Sequence, residues 1–231
     1  KNVKGEDLLA DIVRGYYAKD PEAATKWSFQ LTANGSFMGS SGLTGSIEEE
    51  DAFREEQPRN QALMESFHSW LNKDFDSAKK WALEQPEGDN RIIVIEDLAG
   101  TWYMKDQGEV KKWLTEMPSG KEKDYAVKPV SSLMSVWHDP REAAELSMDM
   151  ISDERVRNES LATVAASWIQ KDGNGMVEWM RKIPDESVRN KIISSSFSHW
   201  IYMNPEKARE WLANSSLDET LKIELQKKLK P

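Results

Sequence analysis

The 231-residue chain contains no cysteine. Disulfide bonds, thiolate metal ligands and cysteine nucleophiles are therefore excluded. The three histidines are His68, His138 and His199, and no two of them have the short spacing of a zinc-binding helix. No serine lies in a GxSxG elbow, and no pair of carboxylates stands out as an acid and a base. We therefore expect no catalytic residue, no metal site and no cofactor.

Positive charge is outnumbered by negative charge in this chain. Lys and Arg number 31 against 40 Asp and Glu, which gives a formal net charge of −9. This balance argues against a nucleic-acid partner, which would favour clustered Lys and Arg. No apolar run approaches the ~20 residues that span a bilayer, so we expect no membrane insertion. The first residue, Lys1, is not Met, so we expect a processed or shortened chain. The absence of cysteine is compatible with an oxidising compartment such as the bacterial periplasm or the exterior.

An internal repeat is the main feature of the sequence. Pairs of aromatic residues stand eleven positions apart, and an Asp or Asn follows each first aromatic by four. The pairs are Tyr16/Trp27, Trp70/Trp81, Trp102/Trp113, Trp168/Trp179 and Trp200/Trp211, with Asp20, Asp74, Asp106, Asp172 and Asn204 between them. One irregular copy has Trp137, Asp139 and Leu146. Successive Asp or Asn positions differ by 54, 32, 33, 33 and 32, which indicates a tandem repeat with one insertion.

Each repeat predicts two helices joined by a tight corner. Apolar residues such as Leu63, Phe67 and Trp70 precede the corner at helical spacing. The Asp or Asn then caps the second helix, and in three copies a proline follows it at the first helical position. Because the corner separates the two aromatics of a copy, we expect them to pack against each other within a helical hairpin. The Trp residues are accordingly interpreted as buried structural positions.

The repeat predicts an all-α fold, an α-solenoid of about six helical hairpins in a single domain, residues 1–231. The predicted hairpins span about 5–32, 59–90, 91–123, 124–155, 156–188 and 189–215. A Gly/Ser-rich, acidic insertion occupies 33–58, and "SIEE" at Ser46 predicts a short helix within it that ends near Gln57. A second capping box, Ser216 to Glu219, predicts a C-terminal capping helix over 216–230.

Arginine recurs eleven residues before four of the first aromatics, at Arg59, Arg91, Arg157 and Arg189. A repeated arginine could form a ladder for phosphates or carboxylates. The simpler interpretation is structural, because the same position in each copy can donate to carbonyl groups at the end of the preceding helix.

The unit resembles tetratricopeptide-like repeats, whose period of about 34 residues is close. It is also similar to divergent bacterial tandem repeats in which a Trp, an Asp-Pro corner, an Ala and a second Trp follow one another. The resemblance implies a superhelical solenoid and brings no catalytic residues with it.

The favoured function is a scaffold or adaptor that binds an unknown protein or peptide on the concave face of the stacked hairpins. Non-repeating residues of the first helices are the candidates for the partner surface: His68, Tyr103, His199 and Tyr202. An alternative is a Trp-rich groove that binds or cleaves a carbohydrate. The chain could also be the docking part of a longer polypeptide.

Overall fold

The computed structural model describes residues 15–31 and 47–229, with residue 31 and residues 47–59 as backbone only. Within these ranges every regular element is a helix, so the all-α prediction is confirmed. The chain forms two compact units, with the boundary between Val110 and Lys111. No helix in the described ranges has both the length and the apolar character that a membrane crossing requires. The arrangement of all repeats as one solenoid domain stays a prediction.

The first unit is built from helices that pack on their neighbours along the chain. Helix α1 contacts α2, and α2 contacts both α3 and α4. The helices are α1 (Pro21–Leu31), α2 (Ile47–Lys73), α3 (Phe75–Glu84), α4 (Asp89–Lys105) and the start of α5 (Gln107–Glu116). The apolar stripe of α2 faces the core, since Leu63 and Phe67 are fully buried and Trp70 is 3% exposed.

The second unit shows the same neighbour-to-neighbour packing. Helix α6 contacts α7 and α8, and α9 contacts α8, α10 and α11. The helices are α6 (Lys121–Trp137), α7 (Pro140–Met150), α8 (Glu154–Met180), α9 (Glu186–Met203), α10 (Pro205–Asn214) and α11 (Glu219–Lys228). The long α8 bends at Asp172, where φ is −151° and ψ is 80°, so it contains both helices of its repeat.

The predicted corners are present at all six Asp or Asn positions. At each of them the side-chain oxygen accepts a hydrogen bond from a backbone N–H two or three residues later, as an N-cap does. In each pair the backbone N–H of the first residue donates to the side-chain oxygen of the second, at 2.8–3.2 Å. The pairs are Ala23 and Asp20, Ser77 and Asp74, Glu109 and Asp106, Arg141 and Asp139, Gly175 and Asp172, and Lys207 and Asn204. Four of the corners share a non-helical conformation with φ between −153° and −149° and ψ between 80° and 97°.

The irregular copy differs from the others by one extra residue at its corner. The N–H of His138 donates to the carbonyl of Met134 at 2.9 Å, as the N–H of Asp106 does to Trp102 at 2.7 Å. Met134 is 1% exposed and therefore occupies the position that the first Trp has elsewhere. Trp137, assigned to that position by the sequence, is 65% exposed, which corrects the assignment.

Two predicted helix boundaries are wrong. The helix expected to end near Gln57 continues through Pro58 into the next repeat, as the single helix α2. Proline keeps a helical φ and removes only one backbone hydrogen bond, so strong helix formers on both sides can carry a helix through it. At the C-terminus, α11 begins at Glu219 and its N-cap is Asp218 rather than Ser216, because Asp218 accepts from the N–H of Leu221 at 2.8 Å.

Much of the predicted insertion, residues 33–46, lies outside the described residues. The predicted start of the first hairpin, before residue 15, lies outside them as well. The side chain of Arg59 also lies outside them, although its backbone belongs to α2.

Candidate functional site: an open groove on the first helices

Most recurring Trp residues are used in packing. Trp70, Trp102, Trp168, Trp179 and Trp200 are between 2% and 6% exposed. Three pairs meet across their corner, with ring centroids 5.4 Å apart for Trp70/Trp81, 6.0 Å for Trp168/Trp179 and 5.7 Å for Trp200/Trp211. Trp81, Trp113 and Trp211 are half-buried. These indoles therefore stabilise the hairpins by packing and present little ring surface to a ligand.

Two Trp residues depart from this pattern. Trp27 is 37% exposed and Trp137 is 65% exposed. Tyr16, the aromatic expected to pair with Trp27, is itself 45% exposed. The expectation that each repeat Trp is buried is therefore wrong for Trp27, and Trp137 is not a repeat position.

The recurring arginines bind backbone carbonyl groups, as the structural interpretation predicted. Arg91 donates to Gln85, Arg157 to Ile151 and Arg189 to Ile183, at 2.5, 3.1 and 2.6 Å. Lys123 makes the equivalent bond to Met117 at 3.2 Å. The sequence reading missed Lys123, although it stands eleven residues before Met134, as each arginine does before its Trp.

Cations also cover three of the first Trp rings, a feature that spacing did not reveal. The cation comes each time from the second helix of the preceding repeat. The pairs are Lys26 over Trp70 at 5.6 Å, Lys79 over Trp102 at 3.4 Å and Arg141 over Trp168 at 5.6 Å from the ring centroid. Such contacts add about 0.5–2 kcal/mol each and join neighbouring repeats.

The four candidates for a partner surface are not alike in the structure. His68, His199 and Tyr202 are exposed, Tyr202 by 86%. Tyr103 is 1% exposed within the first unit, so its assignment to a surface is wrong. It follows a first Trp directly, and the residues at the same place in two other copies, Leu71 and Ile169, are buried too. That apolar register was visible in the sequence.

His68 lies in an open groove of the first unit, which we call the acidic groove. Its lining combines carboxylates, one imidazole and two larger side chains with apolar surface. The lining residues are Tyr17, Met64, Glu65, His68, Ser69, Asn72 and Asp97. Helix α2 supplies five of the seven residues, and α4 supplies Asp97.

The central contact of the acidic groove joins His68 and Asp97. The imidazole Nδ1 lies 3.0 Å from Asp97 Oδ1, and the side chains are 57% and 18% exposed. Burial raises the pKa of Asp97 above its ordinary value, and this outweighs the hydrogen bond and charge of His68, which lower it. Asp97 Oδ2 is buried and has no hydrogen-bond partner among the residues that the structure describes.

Glu65 is held in place by two donors. The Tyr17 hydroxyl donates to Oε2 at 3.2 Å, and the Gln61 amide donates to Oε1 at 2.7 Å. Glu65 and Asp97 each stand five residues before a first Trp. This shared register is the sequence signal that could have identified both acids.

A second groove lies within the second unit, between α9 and α11. Its lining is polar and carries two lysines: Ser187, Asn190, Lys191, Ser194, Ser195, Ser198, Glu224 and Lys228. Lys228 donates to the carbonyl of Ser194 at 3.3 Å and to the hydroxyl of Ser198 at 2.9 Å. The two grooves therefore differ in charge.

No cluster of three or more His, Asp or Glu suited to a metal ion occurs in residues 15–31 and 47–229. Comparison of the chain with models of known protein families, with curated proteins and with solved structures gives no match. The chemistry of the candidate site is therefore argued from its own residues.

Proposed function

We propose that the chain is a scaffold or adaptor built from tetratricopeptide-like helical repeats, and that it binds a protein or peptide along its first helices. One observation supports this above the others. Most residues that recur are used in packing within or between repeats, whereas residues that do not recur, such as His68 and Lys191, line open grooves. Stacked hairpins with constant packing and variable groove residues are suited to peptide recognition.

A random peptide library displayed on phage tests this function. Peptides that enrich on the protein are resynthesised, and their affinity is measured by calorimetry. Each is then measured against Met64→Trp, which adds bulk to the acidic groove, and Ser195→Trp, which adds bulk to the second groove. Ala213→Trp introduces the same side chain at an exposed position of α10 outside both grooves.

We expect each enriched peptide to lose at least about tenfold in affinity with one groove variant and to keep its affinity with Ala213→Trp. Failure of every peptide to bind, or equal binding to all three variants, would contradict the proposal. Circular dichroism of the variants confirms that each one is folded.

The carbohydrate alternative depends on the exposed indoles. Trp27 and Trp137 are the most exposed Trp side chains in the described ranges, and neither lines either groove. A panel of neutral oligosaccharides, with Trp fluorescence as the readout, tests it. A saturable change that disappears in Trp137→Ala would favour the carbohydrate function over the peptide function.

A further inference from the structure

The acidic groove has an excess of negative charge at close range. Glu65 and Asp97 contribute two carboxylates. The other titratable residues that line the groove are His68 and Tyr17. None of the seven described residues that line it is a lysine or an arginine. A cationic group entering the groove therefore meets two acceptors and no fixed like charge other than a protonated His68.

Asp97 has an unused acceptor. Its Oδ1 is bonded to His68, and its buried Oδ2 has no hydrogen bond within the described ranges. A buried carboxylate oxygen without a donor costs free energy, and an added donor would offset that cost. Rotation of the carboxylate about its last torsion is soft, so either oxygen can be turned towards the groove that Asp97 lines.

The groove also provides surface for an aliphatic stem. Met64 is 49% exposed and Tyr17 is half-buried, and both line the groove. Arginine and lysine side chains combine a terminal cation with a chain of methylene groups, so they place apolar atoms against such surface while the cation reaches the carboxylates. A planar guanidinium can in addition donate to two carboxylates at once.

The acids are particular to this groove and do not recur in every repeat. In the first unit the position five residues before the first Trp carries Glu65 and Asp97. The same position in the second unit carries Thr163 and Ser195, and Pro129 in the irregular copy. Packing does not require an acid at this position, so the acids of the first unit fit a role in recognition.

We propose that the acidic groove binds an arginine or lysine side chain of a peptide partner, with Asp97 and Glu65 as acceptors and Met64 and Tyr17 against the stem. The inference rests on the proposed function and names the chemistry that one of its two grooves recognises.

The test uses N-acetylarginine N-methylamide as the probe and its citrulline counterpart as a neutral isostere. Binding is followed by the ¹H–¹⁵N resonances of residues 64–72 and 97 in 150 mM NaCl, which screens long-range attraction to the acidic protein. The variants are Asp97→Asn and Glu65→Gln. Glu210→Gln, at an exposed position of α10 outside both grooves, changes the net charge equally and serves as the matched control.

We expect the arginine probe to shift these resonances saturably and the citrulline probe to bind at least about tenfold more weakly. Asp97→Asn and Glu65→Gln should each weaken the arginine probe by about tenfold, as expected for loss of a charge-assisted hydrogen bond. Glu210→Gln should leave its affinity unchanged.

Three results would overturn the inference: no shift at these resonances, equal binding of the citrulline probe, or equal weakening by Glu210→Gln. If enriched library peptides that are weakened by Met64→Trp bind without any need for Arg or Lys, the scaffold function stands and this inference falls. If no peptide binds at all, both fall.

Discussion

The indole rings of Trp168 and Trp179 lie 6.0 Å apart and 53° from parallel, on either side of the corner at Asp172. The pairs Trp70/Trp81 and Trp200/Trp211 have nearly the same geometry. A separation of eleven residues therefore indicates a contact between two Trp rings across a corner. The contact recurs because the side-chain cap of the corner recurs.

Replacement of Trp168 by Ala should lower the free energy of unfolding of the protein by about 3–5 kcal/mol, because the side chain is 2% exposed and its loss leaves a cavity. Urea denaturation followed by circular dichroism measures the change. Trp137→Ala is the matched control, and a change within about 0.5 kcal/mol is expected because this indole is 65% exposed. A loss below about 1 kcal/mol for Trp168→Ala would contradict the packing role.

The sequence predicted the helix–corner–helix unit because the Trp spacing and the Asp caps are local signals that recur. It failed where an inserted residue shifted the register, at Trp137 and Met134, since a methionine in place of a Trp has no distinctive spacing. It also failed at Tyr103, whose phenol suggested a surface although its position follows a buried Trp. The pairing of His68 with Asp97 joins α2 to α4 over 29 residues, and no local pattern encodes such a contact.

Gly173→Ala should destabilise the protein, because a Cβ at this position would lie 2.3 Å from Nε1 of Trp211. The ring or the backbone must move, and overpacking of this kind costs about 1–3 kcal/mol. The melting temperature reports the loss. Trp211→Phe, which shortens the ring system, should recover part of it in the double variant.

Gly175→Ala is the control for that substitution. A Cβ there would meet only the carboxylate of Asp172, at 1.9 Å, so this carboxylate must turn while it keeps its bond to the N–H of residue 175. The corners at Asp74 and Asp106 already have a residue with a Cβ, Ser77 and Glu109, at this place. A change within about 0.5 kcal/mol is expected, and an effect as large as that of Gly173→Ala would show that the close approach of Trp211 is not the cause.

Arg189→Met should lower the free energy of unfolding by about 1–3 kcal/mol, because it removes the charged donor from the carbonyl of Ile183. Arg189→Lys should lose less, since Lys123 makes the equivalent bond in its own repeat. Arg181→Met removes a surface arginine that pairs with Glu178, and a loss of less than about 1 kcal/mol is expected. Urea denaturation ranks the three variants, and an equal loss for Arg181→Met and Arg189→Met would refute the role assigned to the carbonyl bond.

The pKa of Asp97 provides a test of the acidic groove that needs no ligand. Burial raises this pKa, and the hydrogen bond and charge of His68 oppose the rise. His68→Ala removes both opposing effects, so the pKa of Asp97 should rise further in that variant. A titration of the side-chain carboxyl ¹³C resonance measures it, and a fall in the pKa would show that His68 does not stabilise the carboxylate.

The raised pKa of Asp97 also determines how this residue affects the stability of the protein as the pH changes. Because its folded pKa lies above the unfolded one, the contribution of Asp97 is fully present below the ordinary pKa of 3.8 and is lost as pH rises through the folded value. Asp97→Asn keeps the shape of the side chain without its charge. The stability of this variant relative to the wild type should therefore increase as the pH rises through that window, and the difference should stay constant above it. Chemical denaturation between pH 3 and pH 8 measures the difference. A variant that instead loses stability relative to the wild type as pH rises would mean that the carboxylate gains more from His68 than burial takes from it.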